Sequence, residues 1–364
     1  MSTVKINYKV SPIFVFFLVH SAQFGVGVLG FARIIAKAAG YDAWMGVIIA
    51  GIIIHILMWM IYRLLESING NLITLHQHLF GKWIGNAFNL VFMAYFFLVS
   101  VSVMRTYVEI IQVWMFPTAA TWKLTIFLAI LSYYIISSGF RVMTGICVIS
   151  VVATCGYIMQ LFIVIKYGNF GNLFPMFSHS FGDILKAAQA STYTLISFEV
   201  ILMLYPFIKT PEKSHKFAQY GVLFSNFLYL LSTILAFSFF SEKQLSKTIW
   251  SQLSITQVIH LPFIERLEYI AISGYALIVI TSIILPLWAA TRGLHEIFHV
   301  KQKYILISFL FITVIISQLL TERHDINNFI TYVSKASFWL VFVYIPILFL
   351  IMWVKKKWQT LRSK

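Results

Sequence analysis

The stretch Phe24-Gly25-Val26-Gly27-Val28-Leu29-Gly30-Phe31 decides how this chain is read. Gly25-x-Gly27-x-x-Gly30 has the form of the glycine fingerprint of a dinucleotide-binding turn. That fingerprint needs a strand before it, a helix after it and an acid about 20 residues on. Here the glycines lie inside an apolar run, and residues 45–55 contain no acid. The nucleotide reading fails, and three glycines in six residues need another explanation.

Composition supplies the setting. Of 364 residues, 60% are hydrophobic, 17% aromatic and only 11% charged, against about 25% charged in soluble domains. So little charge cannot cover a chain of this size, and the expected solvent is lipid, which calls for apolar runs of roughly 20 residues. The fold class expected is all-α, a polytopic membrane protein. Its 27 basic and 12 acidic residues give a net charge of +15. Cationic loops that hold the topology against anionic lipid explain that excess, so membrane lipid and not nucleic acid is the expected contact. Cys147 and Cys155, eight residues apart on one helix, are about 12 Å apart along its axis and cannot bridge. The run from Val10 continues past any cleavage region, so no signal peptide is expected.

About ten apolar segments follow: 11–38, 43–65, 83–114, 122–139, 142–166, 184–209, 217–240, 266–291, 304–321 and 331–354. Polar stretches such as 66–82 separate them, and 167–183 and 241–265 read as partly helical segments at the membrane interface. With a cytoplasmic N-terminus, 16 of the 27 Lys and Arg residues fall inside, including the closing Lys355-Lys356-Lys357. The expected organisation is one transmembrane domain over 1–364. About 1–175 forms a first repeat and about 176–330 the core of a second. The last span extends to 354, and 355–364 is a basic cytoplasmic tail.

If the ten spans form a five-plus-five inverted repeat, spans 1 and 6 correspond, and both should be broken. Span 1 carries the three glycines; span 6 carries Ser197-Phe198-Glu199 and then Pro206. An open helix frees backbone groups that lipid cannot satisfy. Near Val28 to Gly30 the second half-helix then points free N–H groups and a positive dipole end at a cavity, which suits a carboxylate. Close helix packing is the other reading of three glycines. Glu199 is the only acid well inside an apolar segment and should face the interior, to hold a ligand amine, respond to protonation or bond the frayed backbone.

Thr281 and Ser282 precede Pro286 in span 8. Their hydroxyls suit either a back-bond to the i−4 carbonyl or, against an unwound span 1, a sodium ion. In span 3, Arg105 and Glu109 are spaced to pair with each other, and Val101 and Ser102, one turn deeper, are placed to line a central cavity. His76 and His78 read as loop residues. His295 and His299 share a helical face but lack the carboxylate or Cys that would make a metal site. No nucleophile–base arrangement is evident, so neither an enzyme nor a cofactor is expected.

The chain resembles the permease-like B subunits of bacterial spore germinant receptors, within the amino acid–polyamine–organocation transporter superfamily. The resemblance runs over nearly the whole chain. It is carried by Gly25-Val26-Gly27-Val28-Leu29, Arg105-Thr106-Tyr107-Val108-Glu109, Phe198-Glu199-Val200-Ile201-Leu202, Lys247-Thr248-Ile249-Trp250 and Phe263-Ile264-Glu265-Arg266-Leu267-Glu268. It implies a ten-helix transporter-like fold in the inner membrane of a dormant spore. It also implies assembly with an A subunit and a lipoprotein C subunit, and recognition of a small nutrient germinant such as an amino acid or sugar. Gly25, Gly27 and Val28 match the ligand-facing break of span 1, and Ser197, Phe198 and Glu199 that of span 6. One departure is Ala32 before Arg33, where the family usually has proline. A nutrient receptor, an ion- or proton-coupled amino-acid permease and a scaffold with a vestigial pocket are the functions to separate.

Overall fold

A bilayer offers backbone N–H and C=O groups no partners, so apolar runs satisfy themselves as helices. The computed structural model describes residues 5–257 and 267–362 of the chain. Helices α1 (Phe14–Gln23) and α2 (Phe31–Ala39) flank the glycine stretch, followed by α3 (Ala43–Ile68), α4 (Leu72–Trp114), α5 (Thr121–Ser137) and α6 (Phe140–Ile165). The second half holds α7 (Phe181–Thr192), α8 (Ile201–Leu204), α9 (His215–Phe239), α10 (Glu242–Lys247) and α11 (Ser251–Thr256). It closes with α12 (Leu267–Phe298), α13 (Gln302–Leu319), α14 (Arg323–Phe338) and α15 (Ile345–Arg362), the last two joined by a π-helical turn over Trp339–Tyr344.

Among the described residues, seven helical stretches are long and apolar enough to cross a membrane: Phe31–Ile68, Leu72–Trp114, Phe140–Phe162, Pro211–Phe239, Glu268–Phe298, Gln302–Leu319 and Arg323–Trp358. Phe14–Gln23, Thr121–Ser137 and Phe198–Phe207 are shorter apolar helices. The chain is an all-α, multi-pass membrane protein. At its centre α1 packs on α9, α6 and α12, while α4 packs along α12 and α3 on α7 and α9.

Three sequence expectations are corrected. Residues 72–80, read as part of a loop, form the first leg of α4. Asn71 caps that leg in a box, its side chain accepting from the Thr74 N–H (3.2 Å) and its own N–H donating to Thr74 Oγ1 (2.9 Å). Gly81 (φ 79°) then turns the chain, a backbone state that glycine adopts without penalty. His76, expected in that loop, is fully buried and bonded to Asn89 Oδ1 across the turn at 2.7 Å. Finally, part of the second interfacial segment lies inside the protein: Ser251, Gln252, Leu253, Ile255 and Thr256 of α11 are buried, and Ile249 and Trp250 just before them line the central cavity. Residues 258–266, with the Phe263 to Arg266 part of the family resemblance, lie outside the described residues, as do 1–4 and 363–364.

One end of the bundle is sealed. Val10 N–H donates to Phe207 O and Lys209 N–H to Val10 O, both at 2.9 Å, which lashes the segment before α1 to the segment after α8. Phe140, Phe207 and Trp288 stack together beside this seam, with Arg292 over the Phe207 ring.

Candidate functional site

The glycine stretch opens where the sequence places the break. α1 ends at Gln23, Gly25 is extended (φ −145°, ψ −153°), Val26–Leu29 make one 3-10 turn, and α2 starts at Phe31. With 10 and 9 residues, each half-helix is about 15 Å long, half the roughly 30 Å hydrocarbon core. The break therefore sits near mid-depth.

Four of its carbonyls are met by protein hydroxyls. Ser282 Oγ donates to Ser21 O (3.1 Å) and Phe24 O (3.3 Å), Tyr229 OH to Gln23 O (3.2 Å), and Tyr275 OH to Gly25 O (2.9 Å). The amides behave differently. Those of Gly25, Val26 and Gly27 donate to no described residue, while the next, Val28, reaches back to Gly25 O at 3.4 Å. The break thus turns its acceptors into the protein and leaves consecutive donors uncommitted.

None of the three glycines is there for a left-handed backbone; each is there for close approach. A Cβ on Gly25 would stand 2.6 Å from Ser282 Oγ, one on Gly30 would stand 2.8 Å from Ile249 O, and one on Gly27 would overlap the Thr194 methyl. Helix opening and close packing, alternatives on the sequence, are both present.

Span 6 breaks opposite. α7 ends at Thr192, and Ser197 takes a left-handed conformation (φ 79°, ψ −4°) before short helical turns lead to Pro206 and Phe207. A serine there carries about 1–3 kcal/mol of strain that its surroundings must hold. The two breaks are tied directly, since Gln23 Nε2 donates to Leu195 O at 2.9 Å.

Between them lies a cavity of about 460 Å³. Gly25, Gly27, Ser102, Ser197 and Ser282, five of the residues expected at the site, line it. Its lining includes the basic residues Arg33, Lys37 and Arg323, and no aspartate or glutamate is among its lining residues. The other five expected residues lie behind its wall. Val28, Val101 and Phe198 are fully buried and do not line it; for Val101 this corrects the expectation, since Val99, Ser102, Val103 and Thr106 take the lining positions on α4. Thr281 bonds Ile278 O (2.7 Å, i−3 and not i−4) and Ser21 O (3.2 Å). Glu199 is fully buried and accepts from Tyr95 OH at 2.6 Å.

A further correction concerns Arg105 and Glu109. Glu109 pairs with Arg323 of α14, and Arg105 instead donates twice to Leu320 O, from Nε at 2.9 Å and Nη2 at 2.8 Å. The uncapped C-terminus of α13 supplies that carbonyl, and Arg323, over the Trp250 ring at 5.0 Å, brings the stronger partner to Glu109. At the other His pair, His295 Nδ1 bonds Val300 O at 2.7 Å. No group of three or more His, Cys, Asp or Glu residues is placed for a metal among the described residues.

Sequence reasoning missed Gln23, Tyr95, Tyr229, Tyr275, Trp250 and Arg323. Gln23 alone carried a signal, as a polar side chain two residues before the glycines.

Against known proteins, residues 9–326 match the family model described as spore germination protein. The chain belongs to the spore germination protein family. Within it, spore germination protein GerQB of Bacillus cereus is 40% identical over 357 residues, covering 98% of this chain and 99% of that one. Spore germination protein B2 of Bacillus subtilis is 22% identical over 97% of this chain and 98% of its own length. Among solved structures, a Na+-coupled sialic acid symporter in a substrate-bound outward-open state superposes with a TM-score of 0.64 at 13% identity. It covers 92% of this chain, which covers 80% of it. MhsT in complex with L-phenylalanine gives 0.63 at 11% identity, with coverages of 94% and 88%. This spore germination protein therefore has a transporter fold and is a multi-pass membrane protein of the spore.

Proposed function

We propose that this protein is the transporter-like subunit of a nutrient germinant receptor. It binds a small carboxylate-bearing germinant, such as an amino acid, between the breaks of spans 1 and 6 and so triggers germination. The observation that carries the reading is the division of labour around Gly25 to Gly27: carbonyls held by hydroxyls, amides uncommitted at the head of the 3-10 turn that leads into α2. Donors and a positive dipole end take an anionic acceptor. The basic lining residues Arg33, Lys37 and Arg323 attract the same charge.

In this reading ten helices cross the inner spore membrane as two inverted sets of five, with both termini cytoplasmic. A and C subunits transmit the change, and ligand shifts the scaffold only through unequal affinity for its conformations. The test is germination across single nutrients in spores with the wild-type gene, without it, and with Gly27→Ala. A response lost in both altered strains supports receptor function. A response untouched by Gly27→Ala supports a scaffold with a vestigial pocket.

The oxygens at Thr281 and Ser282 favour a second reading, an ion-coupled amino-acid permease. Both hydroxyls converge on Ser21 O, with Phe24 O and Ile278 O adjoining, a set of hard oxygens suited to a small cation. Uptake of labelled amino acid into proteoliposomes, driven by a sodium or proton gradient and lost on Ser282→Ala or Glu199→Gln, distinguishes it.

A further inference from the structure

Gln23 is 2% exposed and lines the cavity. Its Nε2 is committed to Leu195 O, and its main-chain carbonyl to Tyr229 OH. Its Oε1 is buried and has no partner among the described residues. Which amide atom faces Leu195 is fixed by chemistry: a flipped side chain would set oxygen against carbonyl oxygen. A buried acceptor left unmade is costly, and this one belongs to a residue that lines the same cavity two residues before the uncommitted amides. No acid lines the cavity, and the span 1 carbonyls of Ser21, Gln23, Phe24 and Gly25 already accept from hydroxyls. Among the described cavity-lining side chains, Gln23 Oε1 is the buried oxygen left without a partner. It also lies before the break, while Arg33 lies beyond it on α2, so a ligand cation placed here avoids that charge.

We propose that Gln23 is a ligand-contacting residue whose Oε1 accepts a hydrogen bond from the ammonium or N–H of a ligand whose carboxylate lies on the Gly25 to Gly27 amides. The inference rests on the binding site proposed above and narrows its ligand to a zwitterion or equivalent donor–acceptor pair. Because the same side chain holds Leu195 O, ligand contact at Gln23 reaches span 6 through one amide group.

The test uses the full-length protein in lipid nanodiscs. Binding is measured for the twenty L-amino acids and, for each that binds, the des-amino carboxylic acid with the same side chain. Wild type should prefer the amino acid about tenfold. Gln23→Met keeps the length and loses both polar atoms; it should bind the two alike. Gln23→Glu keeps an acceptor but loses the bond to Leu195, so it should retain the preference while melting at a lower temperature. A preference that survives Gln23→Met, or is lost in Gln23→Glu, overturns the inference while leaving the site reading intact. If wild type binds no amino acid, the site reading itself fails, and this inference with it.

Discussion

Gly25 and Ser282 meet without room for a methyl group: a Cβ on the glycine would lie 2.6 Å from the serine Oγ, which itself donates to Ser21 O and Phe24 O. The contact holds the opened backbone of span 1 against α12. Gly25→Ala should displace this junction, abolish ligand binding and cost about 1–3 kcal/mol of stability through overpacking. Thermal unfolding of the purified protein, beside a binding isotherm, measures both.

Gly27 makes the matching contact with span 6, and it offers a cleaner experiment. The obstacle to a Cβ there is the Thr194 methyl; the next Thr194 atom is 3.6 Å away. Gly27→Ala alone should impair germination, whereas Gly27→Ala with Thr194→Ser removes the obstacle and should recover most of the response. Equal loss in both strains would mean that the glycine matters for some reason other than this contact.

Behind the cavity, Tyr95 OH donates to Glu199 Oε1 at 2.6 Å. Tyr95→Phe should destabilise the protein by about 1–3 kcal/mol, the cost of a buried polar atom left unmet. Glu199→Gln keeps an acceptor for Tyr95 and should be milder. Because Glu199 stands outside the cavity lining, nutrient binding should survive that change. Melting curves of the two variants give the ranking.

The breaks were legible in sequence for a simple reason. In a chain so poor in charge, Gly25, Gly27, Gly30 and Glu199 depart from the local pattern, and a departure in a membrane helix needs a cause. Their partners were not legible. Tyr229 and Tyr275 read as ordinary core aromatics, and their role as caps for carbonyls 206 and 250 residues away exists only once the helices pack. Arg105 and Glu109 fit a local rule that long-range partners overrode. The helix at 72–80 was hidden by its polar content, although Asn71 and Thr74 carried the capping box.

Asp42 fixes the connection between spans 5 and 6. Its carboxylate accepts from Phe177 N–H (2.8 Å), Ser178 N–H (2.7 Å) and His179 N–H (3.0 Å), with His179 Nδ1 at 3.0 Å. Asp42→Ala removes a charged acceptor from several donors and should cost on the order of 2–3 kcal/mol. Limited proteolysis should find new cleavage at residues 174–180, which the wild-type protein resists.

Beside the cavity, the Glu109–Arg323 pair joins α4 to α14, and Arg323 is one of the lining residues. Glu109→Gln should loosen it. With Asn327→Cys as a reporter and the exposed Cys155 replaced by serine, labelling by a membrane-impermeant maleimide should accelerate several-fold. Unchanged labelling would assign the pair to stability alone.

The most direct measurement compares an amino acid with the amine left when its carboxylate is removed. Full-length protein is titrated with each binding L-amino acid and its decarboxylated counterpart. If the Gly25 to Gly27 amides hold a carboxylate, the amino acid binds and the amine does not, at concentrations at least a hundredfold higher. An amine that binds as tightly as its parent contradicts that assignment.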